Sequence, residues 1–131
     1  MPIDTSLEFV PVNIAVITIS DSRTKENDTS GNTLEKRIID AGHQMIKRTI
    51  IPDDVSKIKD TLNAMSREKD VDCIITTGGT GLTGRDTTPE AVKEIANKHI
   101  DGFGELFRQV SFKKIGTSAI QSRAVAALIN S

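Results

Sequence analysis

Apolar positions along this chain change period several times, and each change marks an element. "VNIAVITIS" (Val12 to Ser20) is rich in β-branched residues with apolar side chains on both faces, which predicts a buried strand of a parallel sheet. The polar run from Asp21 to Asn32 predicts a loop. Leu34, Ile38 and Ala41 then share one helical stripe over Thr33 to Ala41, with Gly42 as a natural stop. "QMIKRTII" predicts a second strand ended by Pro52, and Val55, Ile58, Leu62 and Met65 recur at helical spacing. "VDCIITT" predicts a third strand running into glycines. Thr88 before Pro89 marks a helix start, a capping hydroxyl followed by proline in the first turn. Val92, Ile95, Ala96 and His99 mark the inner face of that helix. Gly102 and Gly104 punctuate, a short helix surrounds Leu106 to Val110, and Thr117 or Ser118 can cap a last helix through Ile129. Alternating strands and helices predict a right-handed, mostly parallel α/β sheet covered on both faces, in a single domain over residues 1–131.

Composition narrows the function classes. With 37% apolar and 27% charged residues and a formal net charge of -1, the chain reads as an ordinary globular domain with no basic surface for nucleic acid. Aromatic residues at 3%, none of them Trp or Tyr, leave little on which bases could stack. Cys73 is the only cysteine, so neither an internal disulfide nor a cysteine-rich zinc site is available. The opening "MPIDTSLEFVPVN" lacks the basic flank and long apolar run of a secretory signal, and no stretch is long enough to span a membrane. The expectation is a cytoplasmic protein with no membrane partner.

"ITTGGTGLTGRDTTPEA" (Ile75 to Ala91) carries the densest chemical signal. Gly79 to Gly84 satisfy G-x-G-x-x-G, but the loop follows the third strand, and Arg85-Asp86-Thr87 intervene before the helix. A dinucleotide fingerprint opens directly into a helix after the first strand, so this one is misplaced. A Walker A loop requires Gly-Lys-Ser/Thr, and Gly84 is followed by Arg85 and Asp86. An anion nest of backbone N–H groups is the functional reading, a tight turn the bland one. Asp53, after the second strand, and Asp86, after the third, fall at the same sheet edge, where Asp21 joins them. Carboxylates beside a phosphate loop suit Mg²⁺. Asp53 reads equally well as a helix cap, Asp54 reads better as a cap, and Asp86 reads better as functional because Thr88 is the better-placed cap. His43 and His99 are isolated and fit packing roles, Cys73 fits the core, and Lys113 and Lys114 fit a solvated surface. Ser111, Ser118 and Ser122 lie near helix ends, where capping or exposure is the default.

Taken together, "SDSR", "DTSGNTL", "IIPDD", "TTGGTGLTGRDTTPEA", "GFGELFRQVSF" and "GTSAIQSRAVAALIN" resemble the molybdenum cofactor biosynthesis proteins of the MoaB/Mog type, nearest the MoaB branch. The resemblance covers nearly the whole chain in the right order. It implies a three-layer α/β/α domain that assembles as a homotrimer or a multiple of trimers. It also implies adenylylation of molybdopterin with Mg-ATP, releasing pyrophosphate. By matching motif, Asp53 and Asp86 become the essential carboxylates, catalytic and metal-holding. Gly78, Gly79, Thr80 and Gly81 become the phosphate-facing loop, and Ser111 and Ser122 the pterin-binding serines. A non-catalytic pterin-binding or scaffold subunit of the same pathway is the alternative. Retention of both "IPDD" and "GRD" favours activity. Family members continue past the position of Ser131 with an apolar strand and a proline–glycine loop, so the resemblance implies that the present sequence lacks both.

Overall fold

The computed structural model describes residues 2–130. Strand β1 (Asn13–Ile19) is followed by helix α1 (Thr29–Asp40), strand β2 (Gln44–Ile51), helix α2 (Val55–Ser66) and strand β3 (Cys73–Thr77). The parallel sheet runs β2-β1-β3. Helix α3 (Thr88–Ile95), strand β4 (Lys98–His99), helix α4 (Asp101–Ile115), a 3-10 turn (Gly116–Gln121) and strand β5 (Ala127–Leu128) complete the chain, with β4 and β5 antiparallel.

β1 is central because both of its faces are apolar. Ala15, Ile17 and Ile19 face one core with Ile58, Leu62 and Met65 of α2, Ala91 of α3, and the partly buried Val92 and Ile95. Ile14 and Val16 face the other with Ile38, Leu34, Met45 and Ile75. Strand period two thus divides one hydrophobic run between two helical layers, and the three-layer α/β/α arrangement follows. Complete burial of a side chain such as Ile17 or Ile58 contributes about 1.5–3 kcal/mol relative to exposure.

Thr18 is the buried polar position of β1, and it explains why α1 begins earlier than its apolar stripe suggests. Its hydroxyl donates to Asp28 Oδ2 (2.8 Å), and Asp28 accepts from the Gly31 N–H, capping α1. Arg48 of β2 donates to the same carboxylate at 3.0 Å and to Glu35 at 2.9 Å. Asp28 is 1% exposed, so the arginine and the hydroxyl stand in for lost water. Burial opposes its charge, but the bonds from Thr18, Arg48 and Gly31 outweigh that opposition and hold the carboxyl below its ordinary value. Residues 29–32, expected to be loop, are therefore helical.

The last third departs most from expectation. Gly102 and Gly104 lie inside α4 instead of breaking it. Gly104 is buried, and a Cβ there would sit 2.7 Å from the Ala124 carbonyl oxygen, so the close approach requires glycine. Residues 117–129 form no α-helix. After the 3-10 turn the chain is extended, held by Arg108 donating to the Ser122 carbonyl (3.2 Å), and by Asn97 and Ile100 N–H groups donating to Leu128 and Ala126. His99 lies exposed on β4, not on the inner face of α3. Cys73 is exposed where the edge strand β3 begins, not in the core. Among the described residues no helix is long and apolar enough to cross a membrane.

Replacing Asp28 by Asn keeps a capping oxygen but removes the charge facing Arg48. Removal of one member of a buried ion pair costs about 3–5 kcal/mol, and Glu35 offsets part of that by retaining Arg48, leaving about 2–4 kcal/mol. Because the folded carboxyl titrates below its unfolded value of about 4, its stabilisation is complete above that pH and is lost as pH falls through the folded value. Urea midpoints of wild type and Asp28→Asn should differ constantly at neutral pH and converge under acid.

Candidate functional site

Parallel strands in register deliver their loops to one edge. Ile19 pairs with Ile51 and Thr18 with Thr77, so the segments carrying Asp21, Asp53 and the glycines leave the sheet together. Polar bonds already join them. The Asp53 N–H donates to Asp21 Oδ1 (3.1 Å), and Arg85, from the glycine loop, pairs with Asp21 Oδ2. The bond from Arg85 and the Asp53 N–H hold the Asp21 carboxyl below its ordinary range. Asp21 thus lies at the shared edge, as expected, with its carboxylate paired to Arg85 and to the Asp53 N–H.

Gly78 and Gly79 have φ of 100° and 69°, a region glycine enters at little cost. A Cβ on Gly78 would overlap the Ile19 carbonyl oxygen, and one on Gly79 the Thr88 hydroxyl. Fully buried Thr88 donates its hydroxyl to the Gly78 carbonyl (3.0 Å) and its N–H to the Gly79 carbonyl (3.0 Å). Thr88 is therefore the lock between loop and α3 and not the helix cap expected of it. Thr87 occupies the capping position, and its side chain serves Asp53 instead.

Asp53 Oδ1 accepts from the Thr87 N–H (3.2 Å) and hydroxyl (2.7 Å). Its other oxygen accepts no donor among the described residues and lies 3.1 Å from where a Gly79 Cβ would stand. Asp53 is not a cap; Asp54 is, accepting from the Lys57 N–H (2.9 Å). Asp86 closes the loop on itself, with Oδ2 accepting from the Thr83 hydroxyl (2.7 Å) and N–H (3.0 Å). Those bonds lead in holding its carboxyl below the ordinary range, with the Gly81 N–H and the charge of Arg123 adding to them. The N–H groups of Thr80, Leu82, Gly84 and Arg85 donate to nothing among the described residues.

Arg123 braces this loop from the C-terminal segment. Nε donates to the Gly81 carbonyl (2.7 Å), Nη2 to the Asp86 carbonyl (2.8 Å), and Nη1 pairs with Glu90 of α3. The structure thus brings Asp53, Asp86 and the Gly78–Gly81 stretch together, and attaches Ser122 through its neighbour Arg123. No hydrogen bond or ion pair ties Ser111, half-buried on α4, to the loop among the described residues. Sequence reasoning missed Arg123 and Thr87; the signal for the first was a lone arginine opening the apolar run "RAVAALI". His43 has the packing role expected of it, its Nδ1 accepting from the Val12 N–H (3.1 Å) and its ring 5.0 Å from that of Phe9.

The donor set can be tested against Mg²⁺. Among the described residues no group of three or more His, Cys, Asp or Glu could hold a metal alone. Mg²⁺ is commonly held by one or two carboxylates and completed by waters and substrate phosphates. The free oxygen of Asp53 beside an unpaired N–H loop fits that shared mode.

Residues 15–130 match the family described as "Probable molybdopterin binding domain". The chain belongs to the MoaB/Mog family of molybdenum cofactor biosynthesis proteins. It is 42% identical over 125 residues to molybdenum cofactor biosynthesis protein B of Escherichia coli strain K12, covering 95% of this chain and 74% of that protein. It is 40% identical over 124 residues to a protein of Methanocaldococcus jannaschii named "Probable molybdopterin adenylyltransferase", covering 89% and 73% respectively. A crystal structure of a molybdenum cofactor biosynthesis protein B superposes with a TM-score of 0.88 at 44% identity, covering 92% of this chain and 75% of that one. The family's MoaB/Mog fold is therefore the fold of this chain.

Gly79→Ala must resolve both a positive φ and an overlap with a locked hydroxyl, so it should destabilise by about 1–3 kcal/mol. At Gly84 a Cβ meets open space, so Gly84→Ala should stay within about 0.5 kcal/mol of wild type. Equal effects of the two changes in chemical denaturation would show that the strained conformation is not held in solution.

Proposed function

We propose that this chain adenylylates molybdopterin with Mg-ATP in molybdenum cofactor biosynthesis. The observation that carries the reading is a loop of unpaired N–H donors beside the free oxygen of Asp53, closed by Asp86, in a chain of the family just described. The name of the Methanocaldococcus jannaschii relative supports the adenylyl-transfer step.

In the proposed reaction a terminal phosphate oxygen of molybdopterin attacks the α-phosphorus of ATP. The P–O bond to the β-phosphate breaks, and pyrophosphate leaves with the bonding pair. The nucleophile is already anionic, so no strong general base is required, and the absence of a histidine from the loop is no obstacle. What the residues must supply is alignment and neutralisation of charge developing around phosphorus. Backbone donors of Thr80, Leu82 and Gly84 hold phosphate oxygens without reorganising. Thr87 fixes Asp53 by two hydrogen bonds, so its remaining oxygen faces the loop in one orientation. Asp53 and Asp86 would hold Mg²⁺, which when bound neutralises phosphate charge. The hydroxyls of Ser111 and Ser122, half-buried and without hydrogen-bond partners among the described residues, would hold the pterin.

Asp53→Asn and Asp86→Asn preserve shape but remove charge. Each should lower Mg-ATP-dependent pyrophosphate release in the presence of molybdopterin by about a hundredfold, the scale of one lost electrostatic contact to a transition state. Molybdopterin affinity and melting temperature should change little. A wild-type protein that binds molybdopterin but releases no pyrophosphate would establish the alternative, a pterin-binding or scaffold subunit without catalysis.

We also propose assembly as a homotrimer or a multiple of trimers. Helix α4 leaves Phe103, Leu106, Phe107, Val110 and Ile115 each at least 45% exposed, apolar area that a second copy would cover. Light scattering over a concentration series should give three times the chain mass or a multiple of it, and Phe107→Glu should lower that mass. A monomer at all concentrations would overturn the assembly.

A further inference from the structure

We infer that Arg123 is a positioning residue that sets the shape of the glycine loop and couples it to the segment carrying Ser122. The inference deepens the proposed adenylyl transfer and rests on that reading for its catalytic half. Its structural half rests on bonds alone.

The Arg123 guanidinium spans the loop between two carbonyls, Gly81 at 2.7 Å and Asp86 at 2.8 Å. Between them lie Leu82, Thr83, Gly84 and Arg85, held among the described residues by the Thr83–Asp86 bonds and by the pairing of the Arg85 side chain with Asp21. With both carbonyls committed to the arginine, the stretch is held as a closed chord. The Gly81–Leu82 peptide, which carries the unpaired Leu82 N–H, and the Asp86–Thr87 peptide are thereby fixed in orientation. Nest geometry depends on that restriction, because an anion is bound by successive N–H dipoles only while they converge. Glu90 completes the device. It pairs with Nη1 and fixes the plane of the guanidinium, and this pair leads in holding the Glu90 carboxyl below its ordinary range.

Geometry also explains the choice of arginine. A planar fork of five donors meets three acceptors in different directions, whereas a lysine ammonium is a point charge on a flexible stem. The next residue towards the N-terminus is Ser122, whose carbonyl is itself held by Arg108 of α4. A shift in the Ser122 segment therefore reaches Gly81 and Asp86 through one side chain. Neither Arg123 nor Glu90 touches a reacting atom in this arrangement; both act through the loop.

Amide hydrogen exchange in the ligand-free protein, followed by steady-state kinetics, tests the inference with Arg123→Lys and Glu90→Gln. Arg123→Lys should speed exchange at Thr83 and Asp86, whose N–H groups are hydrogen-bonded inside the loop, by about tenfold while α2 exchanges as in wild type. It should lower kcat for adenylyl transfer by about a hundredfold, the penalty of a small misalignment, with the molybdopterin KM nearly unchanged. Glu90→Gln should shift both readouts in the same direction by less. If Arg123→Lys fails to fold, Glu90→Gln decides. Unchanged loop exchange in the folded variants overturns the inference, as does raised exchange with unaltered kcat and KM. If wild type has no adenylyl transfer, the proposed function fails separately, and increased loop exchange together with weaker binding of inorganic pyrophosphate still supports the clip.

Discussion

Every feature of the site descends from the ladder that β1 makes with a strand on each side. Because β1 is buried from Ile14 to Ile19, it must take apolar residues on both faces, and its hydrogen bonds must all be made within the sheet. Parallel pairing with β2 and β3 meets that demand and has a geometric consequence. Ser20, Pro52 and Gly78 emerge at nearly one level, so three loops that are distant in sequence share a narrow edge. A shift of one residue in either partner would exchange the side chains it presents to the two helical layers and carry Asp53 or the glycines away. The ladder therefore protects the site's geometry through the much larger free energy of core burial.

Above that apolar frame, polar groups are matched almost one to one. Among the described residues no buried side-chain nitrogen or oxygen lacks a partner. Asp28 is satisfied by Thr18, Gly31 and Arg48; Asp21 by Arg85 and the Asp53 N–H; Asp86 by Thr83. The second oxygen of Asp53 and the N–H groups of the loop stand apart from this pattern. Unpaired donors and an unpaired acceptor persist side by side only because both remain reachable by water. The loop glycines serve the same end, since side chains at Gly79 or Gly81 would fill the space between Asp53, Thr88 and Asp86.

The legible parts of the sequence were those ruled by local pattern. β1, β2 and α2 follow from β-branched runs and from apolar residues at helical spacing, and the structure bounds them nearly as expected. The loop stood out as a candidate anion nest because of its four glycines after a strand, and the structure shows that Gly78 and Gly79 adopt the positive φ such a turn needs. Where the reading failed, a long-range bond decided the outcome. The start of α1 depends on Asp28, buried by Thr18 and Arg48 from two different strands. Gly104 looked like a break but is a point of close approach to Ala124. The apolar run after Ser122 looked helical, yet its carbonyls are taken by Arg108 and by the residues flanking β4. No periodicity within the run could reveal that, because the partners lie on other elements.

Two arginines illustrate how such bonds divide the work. Arg48 lies 14% exposed between α1 and β2, where its loss would leave Asp28 buried and uncompensated. Its role is to let the fold include a buried carboxylate. Arg123 is more exposed and grips mostly main-chain carbonyls, so its bonds add little to global stability and act instead on the shape of one loop. The same fork of donors thus serves stability where it meets a buried charge, and function where it meets backbone at the edge. Both arginines join residues at least a dozen positions apart in sequence. Loss of Arg48 would strand a buried charge between α1 and the sheet, whereas loss of Arg123 would remove only the two bonds that tie the Gly81 and Asp86 carbonyls at the edge and the pairing with Glu90.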